Sequence, residues 1–222
     1  MTDTANDIIT AEKIAWNDLF NDATFAVARG SITVIITPKE EVDAWLVRLI
    51  LGFVETDRGE FSIFGAKPTS LPENRLYELR QRIGIVYANG GLISNLKIWE
   101  NVTLPLSYKG RMNNAEMETL GVQVLKRAGY QGKLMQLPGH TPFHQKKAAG
   151  FARAMLMDPE LMVYESPLLG LNQEERRAFM ATAMQFHGEQ EGRTSLFISS
   201  NPEVLPMLKD ARVITINQGQ QS

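Results

Sequence analysis

The sequence predicts an α/β fold, a mainly parallel sheet covered by helices, with a helical region inserted across its middle. Three observations carry this. Ile32–Thr33–Val34–Ile35–Ile36 is a continuous β-branched run and Leu161–Met162–Val163–Tyr164 a second run without polar alternation, the pattern of strands buried on both faces. Helical and strand patterns alternate along most of the chain, which argues for parallel strands joined by covering helices. Residues 90 to 155 carry no strand pattern and read as mostly helical.

Taken in order, Ile8–Trp16 and Ala23–Ala28 read as short strands, and Gly30 marks a turn before Ile32–Ile36. A helix over Pro38–Leu51 follows, with Val42, Trp45, Leu46, Leu49 and Ile50 at helical spacing. Glu60–Phe64 alternates like a strand and ends at Gly65. A polar helix, Glu73–Gln81, leads into the strand Ile83–Tyr87. Pro105, Pro138 and Pro142 are expected to break the central helical stretch. A long helix, Gln173–His187, precedes the strand Ser195–Ser199. A short helix after Pro202 and a last strand, Val213–Ile216, close the pattern.

The chain has 222 residues, 44% of them hydrophobic and 22% charged, which suits one large α/β domain with room for a sizeable core. A formal net charge of −2 gives no basic field, so nucleic acid is not an expected partner. With no cysteine, disulfides, thiol catalysis and cysteine metal sites are excluded. Met1–Asp7 is polar and acidic, unlike a signal peptide, and no apolar run reaches the roughly 18 residues of a membrane span. The expectation is a cytoplasmic protein that meets the inner membrane only through a partner.

Several segments, in order and at matching spacing, resemble the ATP-binding subunits of ABC transporters over about residues 8 to 218. Leu49-Ile50-Leu51-Gly52 closes the region of strand, P-loop and first helix, and Glu55-Thr56-Asp57-Arg58-Gly59-Glu60 matches the turn beyond it. Arg82–Tyr87 is similar to the strand before the Q-loop, and Trp99-Glu100-Asn101-Val102 to a helix start of the family. Ala152-Arg153-Ala154-Met155, Asp158-Pro159-Glu160-Leu161 and Gly170-Leu171-Asn172 resemble the helix after the signature, the lead into Walker B and the D-loop. Glu100–Leu106 also resembles the branch that energises bacterial lipid transport (the Mla/Mce type). The resemblance implies a P-loop NTPase-like core with a mainly parallel sheet, N-terminal antiparallel strands and an inserted α-helical subdomain. The implied division is a core of about 8–88 and 157–218 and a helical subdomain of about 89–156.

The positions that would bind ATP hold other residues. A P-loop reads G-x-x-x-x-G-K-[ST]: its glycines let backbone N–H groups wrap phosphates, and its lysine neutralises them. The aligned positions are Thr37, Pro38, Lys39, Glu40, Glu41, Val42, Asp43 and Ala44, followed by Trp45. Asp43 stands at the lysine position, so three carboxylates face the place of the phosphates. Each like-charge pair about 4 Å apart costs around 4 kcal/mol at an effective dielectric near 20, against about 8 kcal/mol for a micromolar ligand. Thr37-x-x-Glu40, with Pro38 at the first helical position, reads instead as a capping box on a self-capped helix. The resemblance places Ala88 at the Q-loop glutamine, Glu165 at the Walker B aspartate, Ser166 at the catalytic glutamate and Ser200 at the switch histidine. Serine is too weak a base to activate water.

The signature Leu-Ser-Gly-Gly-Gln aligns with Thr141, Pro142, Phe143, His144 and Gln145, of which only Gln145 is retained. Pro142 lacks an N–H, and Phe143 and His144 block the close backbone approach that glycine permits. His140 and His144 are spaced i, i+4, but Pro142 interrupts the helix that a metal pair needs, and no metal is expected. Leu92, Ile93, Trp99, Leu104, Leu106 and Tyr108 fall in the region of the family's docking groove for a transmembrane subunit. The expectation is a non-catalytic scaffold or regulatory subunit of a transport complex, without catalytic residues or bound cofactor. Its expected partner is a transmembrane subunit, another ABC ATPase-like chain, or both, as homodimer or heterodimer. The alternatives are an ATP-hydrolysing subunit with atypical motifs, which would take ATP and Mg²⁺, and a soluble protein-interaction module.

Overall fold

The computed structural model of the chain describes residues 6–109 and 113–218; residues 1–5 of the polar amino-terminal stretch lie outside them. Strands β1 (Asp7–Trp16), β2 (Phe20–Ala28) and β4 (Arg58–Ile63) form an antiparallel sheet in the order β2-β1-β4. Strands β3 (Ile32–Ile36), β5 (Ile83–Val86), β6 (Leu161–Glu165), β7 (Thr194–Ser199) and β8 (Arg212–Thr215) form a second sheet, ordered β5-β6-β7-β3-β8. Every neighbouring pair in the second sheet is parallel.

The continuous apolar runs have the predicted consequence. On β6, Leu161 and Val163 enter the core shared with the antiparallel sheet, while Met162 and Tyr164 enter the core under the helices. On β3 and β7 the alternation repeats, with Ile35, Leu196 and Ile198 on the first face and Val34 and Phe197 on the second. Successive side chains of a strand point to opposite faces, so a strand covered on both sides is largely apolar, and the buried polar exceptions on β3 and β7 are the small hydroxyl residues Thr33, Thr194, Ser195 and Ser199.

Helix α1 (Glu40–Ile50) follows β3 and packs Val42, Trp45, Leu46, Leu49 and Ile50 into the first core. Helix α2 (Glu73–Gln81) is largely polar and buries Leu79. Helices α3 (Ile98–Lys109), α4 (Asn114–Arg127) and α5 (Phe143–Met155) pack on one another, and α6 (Gln173–Gly188) covers the sheet beside them. The second core centres on Phe151, whose ring meets Tyr164, Phe179 and Phe186 at centroid distances of 5.5 to 6.0 Å. Each large apolar side chain so buried contributes about 1.5–3 kcal/mol.

Two local expectations need correction. Pro105 does not break the helix: α3 runs through it to Lys109. A proline removes one i→i−4 bond, and here the burial of Ile98, Val102 and Leu106 on one side of the helix outweighs that loss. Pro142 behaves as expected, because it is the N-cap of α5, and Pro138 opens a 3-10 turn, Pro138–His140. The helix after β3 begins at Glu40, with Lys39 as N-cap, rather than at Pro38.

Candidate functional site

Strands β3, β6 and β7 are adjacent and parallel, so Thr37, Ser166 and Ser200, which follow their last residues, emerge on one side of the sheet. In open parallel sheets the carboxyl ends of the strands are where ligands bind. Here the side chain of Asp43 fills the place between them. It lies in the first turns of α1 and is fully buried. Its carboxylate accepts from the Thr37 hydroxyl, from the Ser166 hydroxyl at 2.7 Å and from the Ser200 backbone N–H at 3.1 Å. Four of the sequence-predicted positions are therefore joined through one buried anion.

The capping box is not formed. Lys39, the N-cap, makes no side-chain cap bond, and the Thr37 hydroxyl donates to the Lys39 carbonyl at 3.2 Å as well as to Asp43. The competing partner is tertiary: a carboxylate is a stronger acceptor than a backbone carbonyl, and Asp43 draws the hydroxyl away from the helix start. The three carboxylates also separate. Glu40 and Glu41 are exposed, and only Asp43 points inward. The remaining residues of the segment are structural. Val42 and Trp45 are buried, Pro38 and Ala44 half-buried, and Trp45 stacks on Trp16 at 5.0 Å with Phe20 edge-on at 5.5 Å.

Glu165 ends β6 and its carboxylate accepts from the Ala88 N–H at 3.2 Å, which brings the two aligned positions together. Ser166 has a φ of 40°, a left-handed conformation uncommon outside glycine. It is held there by its N–H to Ile198, its hydroxyl to Asp43 and its carbonyl to Lys147. Ala88 is placed by the loop that leads into Gly90. That loop meets α5 backbone to backbone, and a Cβ on Gly150 would lie 2.2 Å from the Gly90 carbonyl oxygen.

Lys147 completes this centre, although it belongs to none of the motif positions. Its side chain is fully buried, and its Nζ donates to the carbonyls of Ser166 at 2.9 Å and Leu169 at 3.3 Å, with the Phe179 ring 5.6 Å away. Its position on the buried stripe of α5, between Phe143 and Phe151, was the available signal. Burial lowers the Lys147 amine to about 7, opposed by the nearby charge of Glu165. Burial raises both carboxyls: Asp43, against the bonds from Thr37, Ser166 and Ser200, and Glu165, with the Asp43 charge adding to the rise. All three shifts disfavour the charged forms, as expected for ionisable groups removed from water.

The signature-aligned residues are packed into the chain itself. The Thr141 hydroxyl accepts from Gln136 Nε2 at 2.9 Å, Phe143 covers Gly170, and Gln145 Oε1 accepts from the Gln131 N–H at 2.6 Å. His144 Nδ1 sits 2.9 Å from a Glu175 oxygen, an internal pairing away from His140. The groove residues divide. Leu106 is core, a correction to its expected place in an open groove, and the Trp99 ring packs at Gly121. Leu92 and Leu104 are half-buried, whereas Ile93 and Tyr108 are exposed, at 42% and 76%. A cavity of about 380 Å³ lies between edge strand β5, Pro105 and Arg153.

No family model matches the chain. The probable ribonucleotide transport ATP-binding protein mkl of Mycobacterium leprae is 23% identical over 201 residues, covering 90% of this chain and 56% of that protein. The methionine import ATP-binding protein MetN of Brucella abortus is 30% identical over 199 residues, covering 90% of this chain and 53% of that protein. The chain thus spans about half the length of the curated relatives it matches. Among solved structures, CbiO1 of Clostridium perfringens, part of the ABC transporter complex CbiONQ, aligns with a TM-score of 0.79 at 19% identity, over 96% of this chain and 86% of that one. A bacterial ABC transporter cassette solved as a dimer aligns with a TM-score of 0.82 at 21% identity, over 95% of each chain.

Proposed function

The chain is a homologue of the ATP-binding proteins of ABC transporters and has the fold of their cassettes, and from that premise we propose that it is a cassette-type subunit that serves a transport complex by interaction rather than by hydrolysing ATP. One observation carries the reading. At the position aligned with the phosphate-binding lysine stands a buried carboxylate, and its bonds to Thr37, Ser166 and Ser200 lie within the chain. A phosphate brought to that place would meet a like charge where a working loop presents a cation. The alignment supports the same reading at Ser166, which offers no carboxylate to orient water, and at Pro142–His144, which offer no open backbone to a second subunit's nucleotide.

The proposed partners are a transmembrane subunit, another ABC ATPase-like chain, or both. The proposed docking region is the exposed pair Ile93 and Tyr108 with the cavity beside β5, on the cytoplasmic face of an inner membrane. The proposed division is a core of about 8–88 and 157–218 carrying a helical subdomain of about 89–156. The two relatives are named for different cargoes, ribonucleotide and methionine, and the local likeness of Glu100–Leu106 to lipid-transport cassettes makes a lipid the cargo class we favour.

A second reading, an ATPase with atypical motifs, rests on the same homology and on the carboxylate kept at Glu165 and the amide kept at Gln145. Titration of a fluorescent ATP analogue with Mg²⁺ separates the two. Affinity no tighter than about 1 mM, worth about 4 kcal/mol, is expected, with no phosphate release above background. Saturable binding in the low micromolar range would replace the first reading with the second. Recovery of a membrane subunit from detergent extracts tests the partner, and a purely soluble partner would favour the interaction module.

A further inference from the structure

A cavity of about 270 Å³ lies where the end of α4, the start of α5 and the first turns of α6 meet. Its apolar wall is Ala148, Leu171, Ala178 and Phe179. Its polar wall includes Glu174, Glu175, His144 and Gln145, with no lysine or arginine.

The polar groups are not equally free. Glu175 is committed, because one oxygen accepts the Asn172 N–H of the α6 capping box at 2.9 Å and the other faces His144 Nδ1 at 2.9 Å. Glu174 is exposed and has no ion-pair or hydrogen-bond partner among the described residues. Gln145 is 8% exposed, and its carboxamide is anchored through its oxygen to the Gln131 N–H. Its Nε2 has no partner among the described residues. The one enclosed side-chain polar atom without a partner among them is the Tyr164 hydroxyl, so Gln145 Nε2 reaches open space, and the space that Gln145 lines is this cavity. Its N–H is unused by the protein and free to donate to an acceptor in that space.

An unpaired carboxylate, an unused amide donor and an apolar wall around one small space specify a ligand by its chemistry. The volume is room for about nine water-sized groups. We propose that this cavity binds a small organic cation with an apolar body and a carbonyl acceptor, in the manner of an amino-acid amide. The ammonium group pairs with Glu174, the carbonyl accepts from Gln145 Nε2, and the alkyl group lies on Leu171 and Phe179. A free amino acid is disfavoured, because its carboxylate would face an acidic wall. This site shares no residue with the cluster of Thr37, Asp43, Ser166 and Ser200, although its Phe179 wall also lies 5.6 Å from Lys147 Nζ.

Calorimetric or NMR titration of the full chain tests the proposal. The probes are leucinamide and 4-methylpentanamide, which has the same carbon skeleton without the ammonium group. Saturable leucinamide binding is expected, with the neutral amide weaker by about tenfold or more. Glu174→Gln, an exposed substitution that leaves the core intact, should weaken leucinamide by a similar factor and leave the neutral amide unchanged. Ala178→Phe, which fills the space, should abolish binding while the melting temperature is preserved. The proposal is overturned if leucinamide shows no saturation up to about 10 mM, if the two amides bind equally, or if Glu174→Gln leaves leucinamide binding unchanged.

Discussion

Replacing Asp43 by alanine removes the acceptor of three hydrogen bonds at the carboxyl ends of β3, β6 and β7. The Thr37 hydroxyl keeps the Lys39 carbonyl at 3.2 Å, but the Ser166 hydroxyl and the Ser200 N–H lose the acceptor that serves them. Each buried donor left unmade costs about 1–3 kcal/mol. Against this stands the relief of removing a desolvated carboxyl whose proton affinity burial has raised. The net expectation is a loss of about 2–3 kcal/mol, or about 4–12 °C in melting temperature for a chain of this size. Asp43→Asn keeps one carbonyl oxygen for Ser166 and Ser200, and its NH₂ can donate to Thr37, so it should stay within about 1 kcal/mol of wild type. The two variants also differ in pH response. A carboxyl whose folded pKa is raised binds its proton more tightly in the folded state. Wild type should therefore gain stability as pH falls through the folded value towards the ordinary carboxylate range, and Asp43→Asn should lose the part of that slope due to Asp43, leaving the part due to Glu165. Urea denaturation of the three proteins at several pH values between about 4 and 7 measures all of this. If Asp43→Ala melts within 1 °C of wild type, or Asp43→Asn loses as much as alanine does, the carboxylate is not the hub described here.

Lys147 should show the opposite slope. Its folded pKa, about 7, lies below the ordinary 10.5, so its penalty is complete below about 7 and is relieved as pH rises towards 10; Lys147→Met should abolish that rise in melting temperature between pH 7 and 9. The Tyr164 hydroxyl is enclosed without a partner in hydrogen-bonding geometry among the described residues, although the Ser195 hydroxyl, which meets His187 Nδ1 at 3.0 Å, is near enough to act on it. Tyr164→Phe should accordingly be neutral or stabilising by about 1 kcal/mol, and a loss above 2 in chemical denaturation would reveal an unrecognised bond. Gly150→Ala puts a methyl 2.2 Å from the Gly90 carbonyl and should cost about 1–3 kcal/mol as an overpacked contact, read as a lowered urea midpoint.

What the sequence determined by itself was the part of the molecule governed by short-range periodicity. Continuous apolar runs at Ile32–Ile36 and Leu161–Tyr164 are sufficient to specify strands covered on both faces, because the side-chain repeat of a strand is two residues. The α6 start at Asn172 was legible for a similar reason, since its capping box with Glu175 uses partners three residues apart. The same motif at Thr37 and Glu40 failed, and the difference is tertiary. Asp43 lies six residues from Thr37 but meets Ser166 and Ser200 only after β6 and β7 have come to rest beside β3. Pro105 was misread from its own chemistry, and no motif local to Lys147 marked it. The helix keeps Pro105 because Val102 and Leu106 are buried around it, and the core accepts Lys147 because two carbonyls beyond β6 receive its ammonium. Propensity and capping act over one turn at about 1 kcal/mol, whereas a buried charge must find its partners wherever the fold supplies them. The sequence could therefore name the residues at the strand ends, and only the packing of three parallel strands decided that one carboxylate would hold them together.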